Sequence, residues 1–213
     1  MKITVLGATG KAGSRIITEA MSRGHEVTAV IRNPASTSNL PIGIRVLTGD
    51  ASNIKDVTEF STGQDVVISA IRPTSGLESD VIPTTRALMD GLSKTGVRLL
   101  VVGGAATLTV PGTGGKTVVE DSNYLPVSAR HIGKASAEQL EVCLAETRVD
   151  WVYFSPAAQF SPGERTGNYR LGKDELLVDV EGISKISMED AAIILLDEAE
   201  QPKHHQTRFT AAY

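Results

Sequence analysis

One cysteine in 213 residues, Cys143, leaves nothing for an internal disulfide to join and fits a reducing compartment. No apolar run approaches the roughly 20 residues of a membrane-spanning helix. The first apolar stretch has only Lys2 before it and runs after a few residues into glycines, so it does not read as a secretory signal. Basic residues are not in excess: the formal net charge is -4 and the sequence pI about 5.6. That balance leaves no electrostatic footprint for nucleic acid, and no polybasic run points to a membrane surface. Internal repeats, linkers and low-complexity tails are missing too. These absences predict a cytoplasmic protein, monomer or homodimer, with residues 1–213 forming a single domain.

Short β-branched strands and amphipathic helices alternate along the chain. Ile3 to Leu6 reads as a buried parallel strand. Ala12 to Arg23 has helical spacing, with Ile16, Ile17, Ala20 and Met21 on one face and Gly24 as its stop. Further strands are predicted at 27–31, 44–47, 66–69, 99–102, 151–154 and 208–213. Helices are predicted at 54–60 (capped by Ser52 or Asn53), 81–94, 128–147 and 188–199. Such alternation predicts an α/β, Rossmann-like, doubly wound and mainly parallel sheet with helices on both faces. Two glycine-rich stretches break the rhythm, at about 103–124 and 156–187. Both follow strand ends, where open α/β sheets bind their ligands, so they are expected to wall a substrate pocket, the second as a small C-terminal substrate lobe.

The most informative segment is Gly7-Ala8-Thr9-Gly10-Lys11-Ala12-Gly13. Gly7 allows a tight exit from the strand, Gly10 lets the backbone approach a pyrophosphate, and Gly13 lets the helix pack against the strand. The following helix offers free N–H groups and its positive dipole end to phosphate. A strand before the motif and a helix and second strand after it are the context that gives it weight. At the end of the second strand stand Ile31-Arg32-Asn33, with no acid to accept from a ribose 2′-hydroxyl; Arg32 suits a 2′-phosphate. NADP(H) is therefore the expected cofactor, with NAD(H) as the alternative. The cofactor wall is expected to continue through Asp50-Ala51, Ser69-Ala70-Ile71, Gly103 and Ser155-Pro156. Asp50 either accepts from the adenine amino group or caps the next helix.

Other motifs carry less. Gly112-Thr113-Gly114-Gly115-Lys116-Thr117 lacks the first glycine of a triphosphate loop, since that position is Val110. His204-His205 has no neighbouring ligands in sequence, and no metal site is expected. Cys143 falls on an inward helical face as a core residue.

Taken together, the chain resembles the atypical short-chain dehydrogenase/reductases, in particular the NAD(P)H-binding group called NADH-flavin reductase-like or NmrA-like, related to biliverdin/flavin reductase. The resemblance rests on the residue 7–13 turn, Arg32-Asn33-Pro34, Val102-Gly103-Gly104-Ala105, Ser155-Pro156-Ala157 and Pro162-Gly163-Glu164-Arg165-Thr166-Gly167. Ile186-Ser187-Met188-Glu189-Asp190 and Arg208-Phe209-Thr210 extend it to nearly the full length. It implies NADP(H) binding and, in some relatives, reduction of flavins or tetrapyrroles; others sense redox state without turnover and act through a protein partner. Most of the superfamily carries Tyr-x-x-x-Lys on the helix after strand five. Here the stretch is Arg130-His131-Ile132-Gly133-Lys134, so Lys134 stands where the family's ribose-binding lysine does and Arg130 fills the tyrosine slot. Thr107 is the first hydroxyl after strand five, displaced by Ala105-Ala106. His131, beside the tyrosine slot, is a candidate acid; alternatively a flavin- or quinone-type acceptor draws its proton from water. Arg165 and Tyr169 are candidates for an anionic substrate, with a structural salt bridge the competing reading of Arg165. A sugar-nucleotide epimerase is disfavoured by the missing tyrosine and the short C-terminal region.

Overall fold

The computed structural model describes residues 1–37, 40–72 and 76–213. Strand β1 (Lys2–Leu6) lies at the sheet centre because four of its five residues are buried. Around it stand β2 (Glu26–Ile31), β3 (Arg45–Thr48), β4 (Val66–Ser69), β5 (Arg98–Val102) and β6 (Trp151–Pro156). A last long strand, β10 (Thr207–Ala212), follows the short β7 (Gln159–Ser161), β8 (Arg170–Gly172) and β9 (Lys185–Ser187). The main sheet runs β3-β2-β1-β4-β5-β6-β10-β8, parallel throughout except for β8 at the edge. β7 and β9 pair separately. Order thus reverses beside β1, between β1 and β4, the switch point at which such sheets bind ligands.

The helices follow the apolar spacing. α1 (Lys11–Ser22) and α5 (Met188–Glu200) share one face, where Ile16, Ile17, Ala20, Ile194 and Leu195 pack on Ile3, Val5 and Phe209. α2 (Ile54–Ser61), α3 (Val81–Thr95) and α4 (Arg130–Leu144) cover the other, with Phe60, Leu88, Leu92, Leu140 and Cys143 on Leu99, Val101 and Trp151. Each large buried side chain contributes about 1.5–3 kcal/mol relative to exposure. Burial pushes the Cys143 thiol up to about 12, as suits a core residue rather than a nucleophile. Asn53, not Ser52, caps α2, accepting from the Lys55 and Asp56 N–H groups. α4 is shorter than its apolar pattern suggests, because residues 127–129 form a 3₁₀ turn and the chain leaves the helix after Leu144.

The two glycine-rich stretches pack on each other. Leu108, Val110 and Val118 from the first and Leu176 from the second form a small third core, with Leu125 and Val178 against it. Backbone bonds join them: Thr109 N–H donates to Asp174 O at 2.9 Å, and Leu176 N–H to Thr109 O at 2.8 Å. Arg208 on β10 crosses to both, with Nη1 2.5 Å from Thr107 Oγ1 and Nη2 2.7 Å from Asp174 Oδ1.

Candidate functional site

Residues 7–13 build a turn whose glycines do different work. Gly7 has φ +72°, and a Cβ there would stand 2.7 Å from Ala70 O; the turn is wedged against the end of β4. Gly13 admits no side chain, since a Cβ would lie 2.1 Å from Gly7 O. Gly10 is different. Its φ of -77° suits any residue, and an added Cβ would meet only Gly7 O, at 3.1 Å. The tight bond from Gly10 N–H to Gly7 O, 2.9 Å, closes the turn. Ala8 is buried, while Thr9, Gly10 and Lys11 face solvent.

α1 starts at Lys11 with no side-chain cap on Gly10. Among the described residues, the N–H groups of Lys11, Ala12 and Gly13 have no protein acceptor. Uncapped N–H groups and the positive end of a helix dipole form an anion site. A dinucleotide's diphosphate suits such a site: the helix start is uncapped, and Gly10 at its edge is exposed and carries no side chain.

Arg32 is exposed where the chain leaves β2 and forms no ion pair among the described residues. Asp50 neither caps α2 nor stays free: its Oδ1 accepts from Ser52 N–H and Oγ at 2.9 and 2.8 Å. The Ser52 N–H chiefly holds its carboxyl below the usual carboxylate range, against burial, with the charge of Arg32 a smaller aid. Ala51 is buried behind it.

Ser69, at the last position of β4, is buried and its Oγ has no partner among the described residues; Ser155 on β6 is the same. Ala70 N–H donates to Leu6 O, and Ile71 continues along the turn, its N 3.2 Å from where a Gly7 Cβ would stand. Gly103 ends β5 directly over the ring of Tyr153, where a Cβ would overlap it at 2.0 Å. Tyr153 O–H donates to Ser136 O at 3.0 Å, linking β6 to α4. Pro156 closes β6.

On α4, Lys134 and His131 are exposed one turn apart. Nε2 of His131 lies 3.2 Å from Oε1 of Glu78, which belongs to the segment between β4 and α3. Glu78 is a residue that sequence reasoning passed over, for nothing local marks an acid 53 positions away as a histidine partner. Arg130 turns to the 103–124 stretch, its Nη2 3.5 Å from Glu120 O. Thr107 is committed to Arg208, which makes it a tie between β10 and the loop rather than a free hydroxyl at the nicotinamide end.

Arg165 and Tyr169, expected on the substrate side, both have protein partners. Arg165 holds Glu19 of α1 through Nε and Nη2, both at 2.9 Å, and this bond is the main cause that keeps the Glu19 carboxyl below its ordinary value. Tyr169 O–H donates to Asp197 at 3.1 Å. His204 and His205 are likewise taken, by Glu198 and Asp150. Two cavities lie away from the turn, about 580 Å³ between α3 and α4 and about 310 Å³ beside α5 and Phe209.

The family model described as NAD(P)H-binding matches residues 7–202, starting on the first glycine of this turn. The chain belongs to the NAD(P)H-binding family. The uncharacterized protein YwnB of Bacillus subtilis is 37% identical over 216 residues, spanning 99% of this chain and 97% of its own. A Streptococcus pneumoniae structure named as a candidate NADH-flavin reductase is 33% identical, with TM-score 0.87 over 100% of this chain and 99% of its own. A Bacteroides thetaiotaomicron structure named as a candidate epimerase is 43% identical, with TM-score 0.90 over 100% and 96%. The solved relatives share the fold over the whole chain while their names diverge on chemistry, so an NAD(P)H-binding, oxidoreductase-type protein is what likeness alone carries.

Proposed function

We propose that the protein is an NADP(H)-dependent reductase of a small planar acceptor of the flavin or quinone type, working in the cytoplasm. The observation that supports it most is the uncapped start of α1 beside Gly10. Lys11, Ala12 and Gly13 would hold the diphosphate through their N–H groups, Arg32 the 2′-phosphate, and Lys134 the ribose at the nicotinamide end. Asp50, Ala51, Ser69, Ala70, Ile71, Gly103, Ser155 and Pro156 would wall the groove, with the buried Ser69 and Ser155 hydroxyls among the polar atoms without a partner in the described residues. A bound dinucleotide supplies hydride chemistry; the chain's own residues orient it and meet the proton demand. An arginine is no proton donor near neutral pH, whereas an imidazole suits that role; with Nε2 of His131 on Glu78, its Nδ1 would serve the acceptor.

Titration of the purified protein with NADPH and NADH, followed by NADPH oxidation against a panel of flavins and quinones, tests this. Tighter NADPH binding and turnover of at least one acceptor are expected. Binding without any turnover overturns the reductase and favours a second reading, a redox-sensing regulator acting through a protein partner. That reading draws on Arg130 in the tyrosine slot and on Thr107 being occupied by Arg208.

A further inference from the structure

Three segments follow the carboxyl ends of β1, β4 and β5. The residue 7–13 turn abuts Ala70, α4 brings His131 and Lys134, and the segment leaving β4 brings Glu78. Among the described residues, Glu78 makes the ion-pair contact that ties this segment to α4. It is itself fixed: Gly76 N–H donates to both carboxylate oxygens at 3.0 Å. Other charged groups on the elements packed around His131 are Asp80, Glu120, Arg130 and Lys134, and none of them pairs with the imidazole. His131 keeps 47% of its side chain exposed and Glu78 24%, so the ring is anchored yet still reaches solvent.

Resting on the reductase reading above, we infer that Glu78 is the positioning residue of the proton donor His131: it holds Nε2 and points Nδ1 at the acceptor, a Glu–His couple in place of the tyrosine. The balance is simple. Hydride from NADPH brings the acceptor two electrons and one hydrogen. The Nδ1–H bond of the imidazolium breaks and its proton goes to the acceptor anion. The neutral ring keeps the hydrogen on Nε2 against Glu78 and regains the lost proton from water. A carboxylate that orients a histidine from behind is the general arrangement of acid–base pairs, whatever the fold.

The test compares wild type, His131→Ala, Glu78→Gln, Glu78→Asp and the double variant H131A/E78Q, with NADPH saturating and flavin mononucleotide or menadione as acceptor. His131→Ala is expected to lower kcat about 100-fold, within the usual range for one general acid, with NADPH affinity unchanged. Added imidazole should restore part of that loss. Glu78→Gln should lower kcat about tenfold, Glu78→Asp should recover most of it, and the double variant should be no slower than His131→Ala, the non-additivity of residues acting as one unit. Independently of turnover, diethylpyrocarbonate should label His131 several-fold faster in Glu78→Gln than in wild type, with His204 and His205 as internal controls read by peptide mass. The inference falls if the two effects multiply, if imidazole rescues nothing, or if labelling of His131 ignores the loss of Glu78. Wild-type protein that reduces neither acceptor ends both this inference and the reductase reading. Wild-type turnover matched by Glu78→Gln ends this inference alone.

Discussion

Two glycine-bearing segments, residues 7–13 and 162–167, are built to opposite ends. In the first, three consecutive N–H groups at a helix start have no protein acceptor among the described residues. In the second, several polar groups are met by partners on α1 and α5. Gly163 N–H donates to Glu189 at 2.7 Å, Arg165 is locked on Glu19, and Asp190 accepts from Thr166 N–H and Oγ1, Gly167 N–H and Tyr213 O–H at 2.6–2.9 Å. Both carry charge and both sit at α1 or α5. What separates a ligand site from a structural strap here is which donors the fold leaves unmet, since a buried or dipole-aligned donor without a partner is costly unless a ligand supplies one.

Substitution should split the two segments cleanly. The largest effect is expected at Gly10→Val. The φ there admits a side chain, though its Cβ would press on Gly7 O at 3.1 Å, so the fold should hold with a modestly lower thermal midpoint, while the side chain fills the phosphate approach and NADPH affinity falls by about 100-fold, ~2.7 kcal/mol. Titration calorimetry reads the affinity and circular dichroism the fold; unchanged affinity in a folded variant would remove the crevice from the diphosphate. Next comes Asp190→Ala in the strap. It strands several donors and should cost about 1–3 kcal/mol of stability, seen as a lower denaturation midpoint, with NADPH affinity in the surviving folded protein within twofold of wild type.

Asp190 also predicts a pH dependence with a definite sign. Burial alone would raise its pKa, but the hydrogen bonds from Gly167, Thr166 and Tyr213 outweigh it, and the carboxyl sits below its ordinary value. The folded state therefore binds this proton less readily than the unfolded chain. The stability it confers is complete above the unfolded value, near 4, and drains away as pH falls through the lower folded value. Urea midpoints measured from pH 6 down to 3 should drop in wild type and drop less in Asp190→Asn; parallel curves would dismiss the carboxylate as the cause.

The first segment was legible because its signal is local: seven residues, a strand before and a helix after, each set by short-range sterics. The alternation of strands and helices was legible for the same reason, through the spacing of residues such as Ile16, Ile17 and Ala20. Pairings across the chain were not. Arg165 meets Glu19 from 146 positions away, Arg208 meets Thr107 from 101, and His131 meets Glu78 from 53. An arginine in a glycine-rich stretch looks the same whether it awaits an anionic substrate or holds an acid already present. The three-residue strands β7, β8 and β9 were missed because they are shorter than the alternation that marks a strand, and they exist through neighbours such as β10.

Arg32 sharpens the comparison from the other side. Unlike Arg165, it is exposed with no carboxylate partner among the described residues, so its removal should matter to a ligand and hardly to the fold. Arg32→Ala is expected to weaken NADPH about tenfold, the loss of one phosphate-pairing guanidinium, and to leave NADH affinity and thermal midpoint where they are. Equal losses for both dinucleotides would mean that Arg32 does not read the 2′-phosphate.

The smallest effect should belong to Arg165→Ala. Its guanidinium is largely exposed, at 58% of the side chain, so the ion pair with Glu19 is screened by solvent and weak. Arg23 also holds Glu19, at 2.9 Å, and remains after the substitution. Acceptor KM and NADPH affinity should both stay within twofold of wild type, and the thermal midpoint should shift slightly. A tenfold rise in acceptor KM at unchanged NADPH affinity would show the opposite: that Arg165 leaves Glu19 for the substrate, and that the strap is satisfied only until an anion arrives to compete for it.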